Sequence, residues 1–169
     1  MDKKQSIKHL TIAALFAALI AVFTAFIFHI PIKIGANTAY LHFGDAFIFI
    51  AASLLPTPYA VTAAALGGAL GDLMCGAAVW MPFTFVAKAL IALTFTKKGK
   101  TINKRNIFAI FLSLIITVVV YYVAEALIYG NWVAPALSVL GNVVQIVGSG
   151  IIYLVLGIAL DKTKIKNMI

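Results

Sequence analysis

The chain has 169 residues, of which 63% are apolar and only 11% are charged. An ordinary soluble domain carries about 25% charged residues, so this composition excludes a soluble protein and predicts a surface that faces lipid. The net charge of +8 does not indicate nucleic acid, because the basic residues lie at the ends of apolar runs, and the single Cys75 excludes both an internal disulfide and a CxxC redox site.

Six apolar runs predict six transmembrane helices, which form one all-α transmembrane domain over residues 1–169. The first run has about 23 residues, or roughly 35 Å of helix, which is enough to cross a bilayer with some tilt. Pro31 ends it, because proline cannot continue the backbone hydrogen bonds, and the segment 32–39 is predicted to be a loop. The predicted helices span residues 7–29, 40–55, 59–75, 82–96, 107–129 and 135–160.

The basic residues predict the orientation of these helices in the membrane. All the Lys and Arg residues except Lys33 and Lys88 lie in the N-terminal tail, in the segment 97–106 or in the C-terminal tail. Cytoplasmic connections carry an excess of Lys and Arg, so both termini are expected to be cytoplasmic. The predicted external connections are 30–39, 76–82 and 130–134.

Three ionisable residues, Asp45, Asp72 and Lys88, lie within predicted helices 2, 3 and 4 at similar depth. A lone charge in hydrocarbon costs several kcal/mol or more, so the three are expected to pair with one another or to line a wet cavity. One interpretation is a structural pair or triad that fixes helix packing, and Asp45 and Asp72 are assigned this role. The other interpretation makes Lys88 a ligand contact.

Predicted helices 5 and 6 each carry a stripe of polar side chains, because these residues recur at helical spacing. The helix 5 stripe is Ser113, Thr117, Tyr121, Glu125 and Tyr129, with Tyr122 beside it. The helix 6 stripe is Ser138, Asn142, Gln145 and Ser149. Amides in a bilayer need partners, so the stripes indicate either a cavity wall or hydrogen bonds between helices. Glu125 could also be an interfacial residue beside an aromatic belt.

The predicted external connections are rich in aromatic residues. Together with the polar stripes they could enclose a pocket in the outer half of the protein, since aromatic walls and a few directed polar groups suit a small heterocycle. Each aromatic residue could instead anchor the protein at the membrane interface, which is the preferred interpretation for Trp132. The candidate ligand-binding residues are Asn37, Tyr40, His42, Trp80, Phe83, Thr84, Lys88, Tyr121, Tyr122, Glu125, Asn142 and Gln145.

Alanine recurs every fourth residue along the first predicted helix, and a second alanine line runs beside the first. Such a stripe lets another helix approach closely, so it predicts either packing within the chain or a docking face for a separate subunit. The candidate docking residues are Ala13, Ala14, Ala17, Ala18 and Ala21. The third predicted helix is dense in glycine and alanine and is expected to be central and crowded.

Catalytic and metal-binding motifs are absent from the sequence. It contains no HExxH, GxSxG or P-loop motif, and no His, Cys and Asp residues have the spacing of metal ligands. We therefore expect no catalytic residue, no metal and no cofactor. The chain is small for an autonomous transporter and has no ATP site, so active transport would need partner subunits.

The segment HFGDAFIFIAASLLPTPYAVTAAALGGALGDL, the aromatic loop that follows it and FVAKAL resemble the S components of energy-coupling factor (ECF) vitamin transporters. The likeness covers nearly the whole chain and is strongest at the two Gly-Asp pairs and at Lys88. It implies a multi-pass protein of the prokaryotic plasma membrane that binds a vitamin from outside and topples in the membrane to release it. The implied partners are a transmembrane coupling subunit, which docks on the alanine-rich face of the first helix, and two cytoplasmic ATPases.

Within that family the chain looks most similar to members assigned to pyridoxine-type or hydroxymethylpyrimidine ligands. A compact ring with hydroxyl groups and a basic nitrogen would fit Glu125, Lys88 and the amides. Riboflavin, pantothenate, folate and thiamine stay open. Two other classes of function also stay open: an autonomous channel or small exporter with Asp45, Asp72 and Lys88 along its path, and an intramembrane enzyme with Glu125 or Asp72 as base.

Overall fold

The predicted all-α fold class is confirmed. The computed structural model describes residues 3–27, 30–34, 37–163 and 165–169, and the side chains of all these residues except 31–34, 37–40, 167 and 168. The helices are α1 (Lys3–Ala25), α2 (Gly44–Leu54), α3 (Thr57–Met74), α4 (Met81–Thr94), α5 (Lys104–Tyr129), α6 (Pro135–Asp161) and α7 (Ile165–Met168).

Three of these helices, α1, α5 and α6, are long and apolar enough to cross a membrane. Their outer surfaces are covered with exposed leucine, isoleucine, valine and phenylalanine side chains, which in water would be an aggregating surface and in lipid is an ordinary one. Helix α2 and the segment Ala78–Thr94 are shorter apolar helices. The chain is therefore a membrane protein, and a total of six membrane crossings stays a prediction.

A two-stranded antiparallel hairpin follows α1, where the sequence predicts a loop. Strand β1 (Ile30–Ile34) pairs with β2 (Asn37–Leu41), and Ile30 lies opposite Leu41. Isoleucine at every second position of β1 gives the period of a strand and the stiff side chains that favour one. Because β2 occupies residues 37–41, α2 begins at Gly44 and not near residue 40 as predicted.

Prolines lie at helix boundaries as the sequence predicts, with one exception: α1 ends at Ala25, and Pro31, which was expected to end it, lies in β1. Prolines lie in the first turn of α3, α4 and α6, where the missing N–H costs no hydrogen bond. The side chain of Asn103 accepts a hydrogen bond from the backbone N–H of Asn106 and caps α5. Helix α5 ends at Gly130, whose φ of 64° suits glycine best.

Helix α3 packs between α1 and α4, and its glycines make this close packing possible. A Cβ atom at Gly67 would lie 2.7 Å from the backbone oxygen of Ala17 on α1. A Cβ at Gly68 would lie 2.8 Å from Cγ of Lys88 on α4. Real Cβ atoms do not approach other atoms so closely, so both positions require glycine. The prediction that the third helix is crowded agrees with these contacts.

The molecule has two ends, which we name by their connections. The hairpin end carries the hairpin, the 75–80 turn between α3 and α4, and the turn between α5 and α6. The basic end carries the first residues of α1, the segment 95–103 between α4 and α5, and α7.

Part of the hydrophilic segment at the basic end is buried, although the sequence predicts a surface loop there. Thr101 is 1% exposed and Asn106 is fully buried. The Asn106 amide donates to the backbone oxygens of Thr96 and Thr101 at 2.9 and 3.0 Å, and the carboxylate of Asp161 accepts from the backbone N–H of Thr101 at 2.6 Å. These bonds satisfy backbone groups that would otherwise be buried without partners.

We predict that Gly67→Ala destabilises the protein by about 1–3 kcal/mol, because the new methyl group meets the backbone of α1 and neither helix can yield cheaply. The measurement is the apparent melting temperature in detergent. Leu66→Ala is the matched control, since its side chain is 46% exposed on the same helix and should shift the melting temperature little. Equal melting of Gly67→Ala and wild type would contradict the close contact of α1 and α3.

Candidate ligand-binding site

A buried ion pair joins α2 and α4. Nζ of Lys88 donates to Oδ1 of Asp45 at 2.6 Å, and the two side chains are 1% and 0% exposed. The second carboxylate oxygen of Asp45 accepts from Nε2 of Gln145 on α6 at 2.7 Å. The sequence left two interpretations of Lys88 open, an ion pair that fixes helix packing and a ligand contact. In the structure Lys88 pairs with Asp45.

Local structure explains why a carboxylate can lie here. Asp45 is in the first turn of α2, where the helix dipole and free N–H groups favour negative charge. Gly68 on α3 leaves the space that the stem of Lys88 occupies. Removing one partner of a buried pair leaves an uncompensated charge, so Asp45 and Lys88 depend on each other.

An aromatic wall lies next to this pair. The hydroxyls of Thr84 and Tyr121 are hydrogen bonded at 2.9 Å, and Nζ of Lys88 lies 5.6 Å from the centre of the Tyr121 ring. The Trp80 ring is 6.1 Å from that of Tyr121 and 6.5 Å from that of Tyr129. A cation over a tyrosine face is favourable, so the wall and the ion pair support each other.

Asp72, near the end of α3, completes the group. Its side chain interacts with Thr84 and with the charge of Lys88. Its oxygen Oδ2 is buried and has no hydrogen-bond partner in the described part of the chain. We call Asp45, Asp72, Thr84, Lys88, Tyr121 and Gln145 the polar cluster; every helix from α2 to α6 contributes to it.

A second polar pair lies one helical turn closer to the hairpin end. Oγ of Ser138 on α6 donates to Oε1 of Glu125 on α5 at 3.0 Å, and Glu125 is 5% exposed. The Tyr122 hydroxyl, by contrast, donates to the backbone oxygen of Trp132 at 2.5 Å. Glu125 therefore lies between two helices, and Tyr122 ties α5 to the turn that follows it.

The remaining predicted site residues lie around these groups. Asn142 and Phe83 are half-buried. His42 is buried just before α2, and its Nδ1 accepts from the backbone N–H of Gly44 at 3.3 Å. The side chains of Asn37 and Tyr40 lie outside the described residues.

Sequence reasoning found most of the polar cluster. Asp45 was expected to pair and to fix helix packing, and its two oxygens contact α4 and α6, which agrees with that role. Thr117 and Ser149, on the predicted polar stripes, are fully buried, and their hydroxyls have no partner among the described residues. The stripes predict which side of each helix faces its neighbours, but they do not predict which residue on the next helix is the hydrogen-bond partner.

The alanine lines of α1 face two directions. Ala13 and Ala21 are buried, and the backbone of Ala17 lies against Gly67 of α3. Ala14 and Ala18 are exposed. Residues 13, 17 and 21 thus pack within the chain, so of the predicted docking residues only Ala14 and Ala18 lie fully on the outer surface.

An apolar groove of about 310 Å³ lies elsewhere, between α1, α2 and α6. Its lining has Thr163 as its one polar side chain among residues such as Phe16, Phe47 and Leu156. A vitamin site needs polar groups that fix the orientation of the ring. The polar cluster provides such groups and this groove does not, so the groove is the poorer candidate.

Comparison with known families decides the class of protein. Residues 4–162 match the family model described as ECF-type riboflavin transporter, S component. The chain belongs to this family. A search of curated proteins gives no match to the chain.

Family membership confirms the resemblance at the level of the S component: the protein is the membrane-embedded, substrate-binding subunit of an ECF importer, and its family is a transport component and not an enzyme. It also implies ECF membrane and ATPase subunits as partners and a vitamin as substrate. The match does not support the pyridoxine or hydroxymethylpyrimidine subtype.

We predict that Lys88→Met lowers the stability of this S component by about 3–5 kcal/mol, because Asp45 is left buried and unpaired. The apparent melting temperature in detergent is the measurement. Lys104→Met, the same change at an exposed position of α5, is the control and should melt like wild type. Adding Asp45→Leu to Lys88→Met should recover part of the loss. A Lys88→Met protein as stable as wild type would show that the pair is dispensable.

Proposed function

We propose that this S component binds a vitamin at the hairpin end, from outside the cell, and delivers it to a coupling subunit powered by two ATPases. The observation that carries the proposal is the polar cluster with its aromatic wall, in the half of the bundle nearest the hairpin. Polar side chains at membrane depth are costly and mark substrate pathways. Aromatic rings beside them suit a flat heterocycle.

The proposed orientation places the hairpin end outside and both termini in the cytoplasm, in a prokaryotic plasma membrane. Its support is the charge distribution, because Lys and Arg are concentrated at the basic end. The polar cluster then lies in the half of the bundle nearest the side from which a vitamin arrives. Six crossings in one transmembrane domain belong to the same proposal.

Riboflavin is the first candidate substrate, since the matched family is described by that vitamin. Pyridoxine-type and hydroxymethylpyrimidine ligands are the second, and one observation favours them: the polar cluster holds two carboxylates and one ammonium group, which suits a basic ring nitrogen. The proposed contacts are Trp80, Phe83, Thr84, Lys88, Tyr121, Tyr122, Glu125, Asn142 and Gln145, with Asn37, Tyr40 and His42 from the hairpin and the residues after it.

We predict that Glu125→Ala and Asn142→Ala each weaken vitamin binding by about 1–3 kcal/mol, the cost of losing a buried hydrogen bond to the ligand. Calorimetric titration of purified protein, without ATP or an ion gradient, measures this. Trp132→Ala is the control, because this side chain is 59% exposed at the α5–α6 turn. Unchanged affinity in both variants would restrict Glu125 and Asn142 to structural roles.

Vesicle transport separates the importer subunit from a channel or small exporter. We predict that vesicles holding the protein alone take up essentially no vitamin, whereas vesicles that also hold the coupling subunit and ATPases accumulate it when ATP is supplied. An S component has no energy source of its own, which is the reason for the difference. Uptake by the protein alone would favour the channel.

We predict that Ala18→Trp prevents assembly with the coupling subunit and leaves vitamin affinity unchanged, because Ala18 lies on the exposed side of α1 and a small residue there permits close helix approach. Co-purification with the coupling subunit and a binding titration are the two measurements. Ala13→Trp is the contrasting variant and should lower the melting temperature, since Ala13 is buried. Normal assembly of Ala18→Trp would rule out this docking face.

A further inference from the structure

The polar cluster carries more negative than positive charge. Asp45 and Asp72 are its two carboxylates and Lys88 is its one ammonium group. Lys88 donates its short hydrogen bond to Asp45, whose other oxygen is held by Gln145. Both oxygens of Asp45 are therefore satisfied, and the excess charge falls on Asp72.

One oxygen of Asp72 is both buried and unsatisfied. Oδ2 has no hydrogen-bond partner within the described part of the chain. The Thr84 hydroxyl interacts with this carboxylate and is also hydrogen bonded to Tyr121. It has a single proton, so it can donate at most one hydrogen bond to Asp72, and Oδ2 has no partner among the described residues. A buried acceptor without a donor costs about 1–3 kcal/mol, and more when it is charged. A donor from outside the chain would remove that cost.

The position of Asp72 fits a donor that comes from a ligand. The residue lies near the end of α3 at the hairpin end, and Thr84 and Tyr121 connect it to the Trp80 ring. A flat heterocycle stacked against these rings would present its edge, and the N–H groups on it, to the carboxylate. Hydrogen bonds to charged acceptors are about twice as strong as neutral ones, so this contact would contribute strongly to specificity.

We infer that Asp72 is a specificity-determining, ligand-binding residue whose Oδ2 accepts a hydrogen bond from a ring N–H of the vitamin. This inference rests on the proposed function and goes further by naming the group recognised. A neutral imide N–H, as in the flavin ring, and a protonated ring nitrogen, as in a pyridine, share this chemistry. Of the two carboxylates in the polar cluster, Asp45 has protein partners on both oxygens, whereas Oδ2 of Asp72 has none in the described part of the chain.

The test uses ligand pairs that differ only in the donor. Purified full-length protein is titrated with riboflavin and N3-methylriboflavin, and with pyridoxine and its benzene-ring analogue. We expect wild type to prefer the N–H member of the pair that it binds by about tenfold to a hundredfold, which corresponds to roughly 1.4–2.8 kcal/mol. In the Asp72→Ala variant the ratio of the two affinities should fall to nearly one.

Asp72→Asn separates the two sources of the N–H group. The asparagine amide oxygen can accept from a neutral imide but cannot balance a charge, so riboflavin should lose only a few-fold in affinity whereas a pyridinium ring should lose about tenfold or more. The near-isosteric variant also decides the question if Asp72→Ala fails to fold, because the N–H preference should shrink in it too. Asp161→Asn, at the basic end, is the control and should keep the full wild-type preference.

The outcomes distinguish this inference from the proposed function. If the wild-type protein binds neither ligand pair, the proposed function is refuted, and the inference that Asp72 recognises a ring N–H is refuted too. A wild-type protein that binds, with the same N–H preference in both Asp72 variants, refutes only the role of Asp72; this is also the result expected if ordered water alone satisfies Oδ2. A preference that shrinks in the variants and persists in Asp161→Asn supports the inference.

Discussion

The ion pair between Lys88 and Asp45 is the interaction on which the rest of the structure depends. Hydrocarbon cannot solvate either charge, so each can lie in the bundle only while the other is in place. Gln145 satisfies the second oxygen of Asp45, and Gly68 provides the space for the lysine stem. One charge pair therefore fixes α2, α3, α4 and α6 relative to one another.

Two polar layers hold the bundle at its two ends, with an apolar core between them. The polar cluster lies toward the hairpin end, and the bonds of Asn106 and Asp161 lie at the basic end. Between them Phe49 and Phe95 stack with their ring centres 5.0 Å apart. These two layers fix the ends of the helices relative to one another.

Much of the fold could be predicted because its signals are local. Apolar runs and prolines mark the helices, and the polar stripes of α5 and α6 indicate sides that face other helices. The hairpin was missed, because its strands are short and apolar and periodicity over so few residues is weak. The burial of Asn106 was also missed, since it depends on groups outside its own helix: the hydroxyl of Ser53 on α2 and the backbone oxygen of Thr96.

The candidate site was predicted only in part, for a similar reason. Residue spacing places Lys88, Asp45 and Gln145 on the right helices, but which of them pair depends on how those helices pack. The alanine lines of α1 illustrate the limit: spacing alone cannot tell that the line through Ala13 and Ala21 packs inside while Ala14 and Ala18 remain exposed. The close contact between Gly67 of α3 and the backbone of Ala17 decides which alanine line packs inside.

The most direct measurement of the central claim is mass spectrometry of the small molecule that purifies with the full-length protein. If the polar cluster is a vitamin site, the native spectrum should show a heteroaromatic vitamin bound one to one, and an excess of a competing vitamin of the same class should displace it. A well-folded preparation that carries no such molecule and gains none when riboflavin or pyridoxine is added would contradict the account.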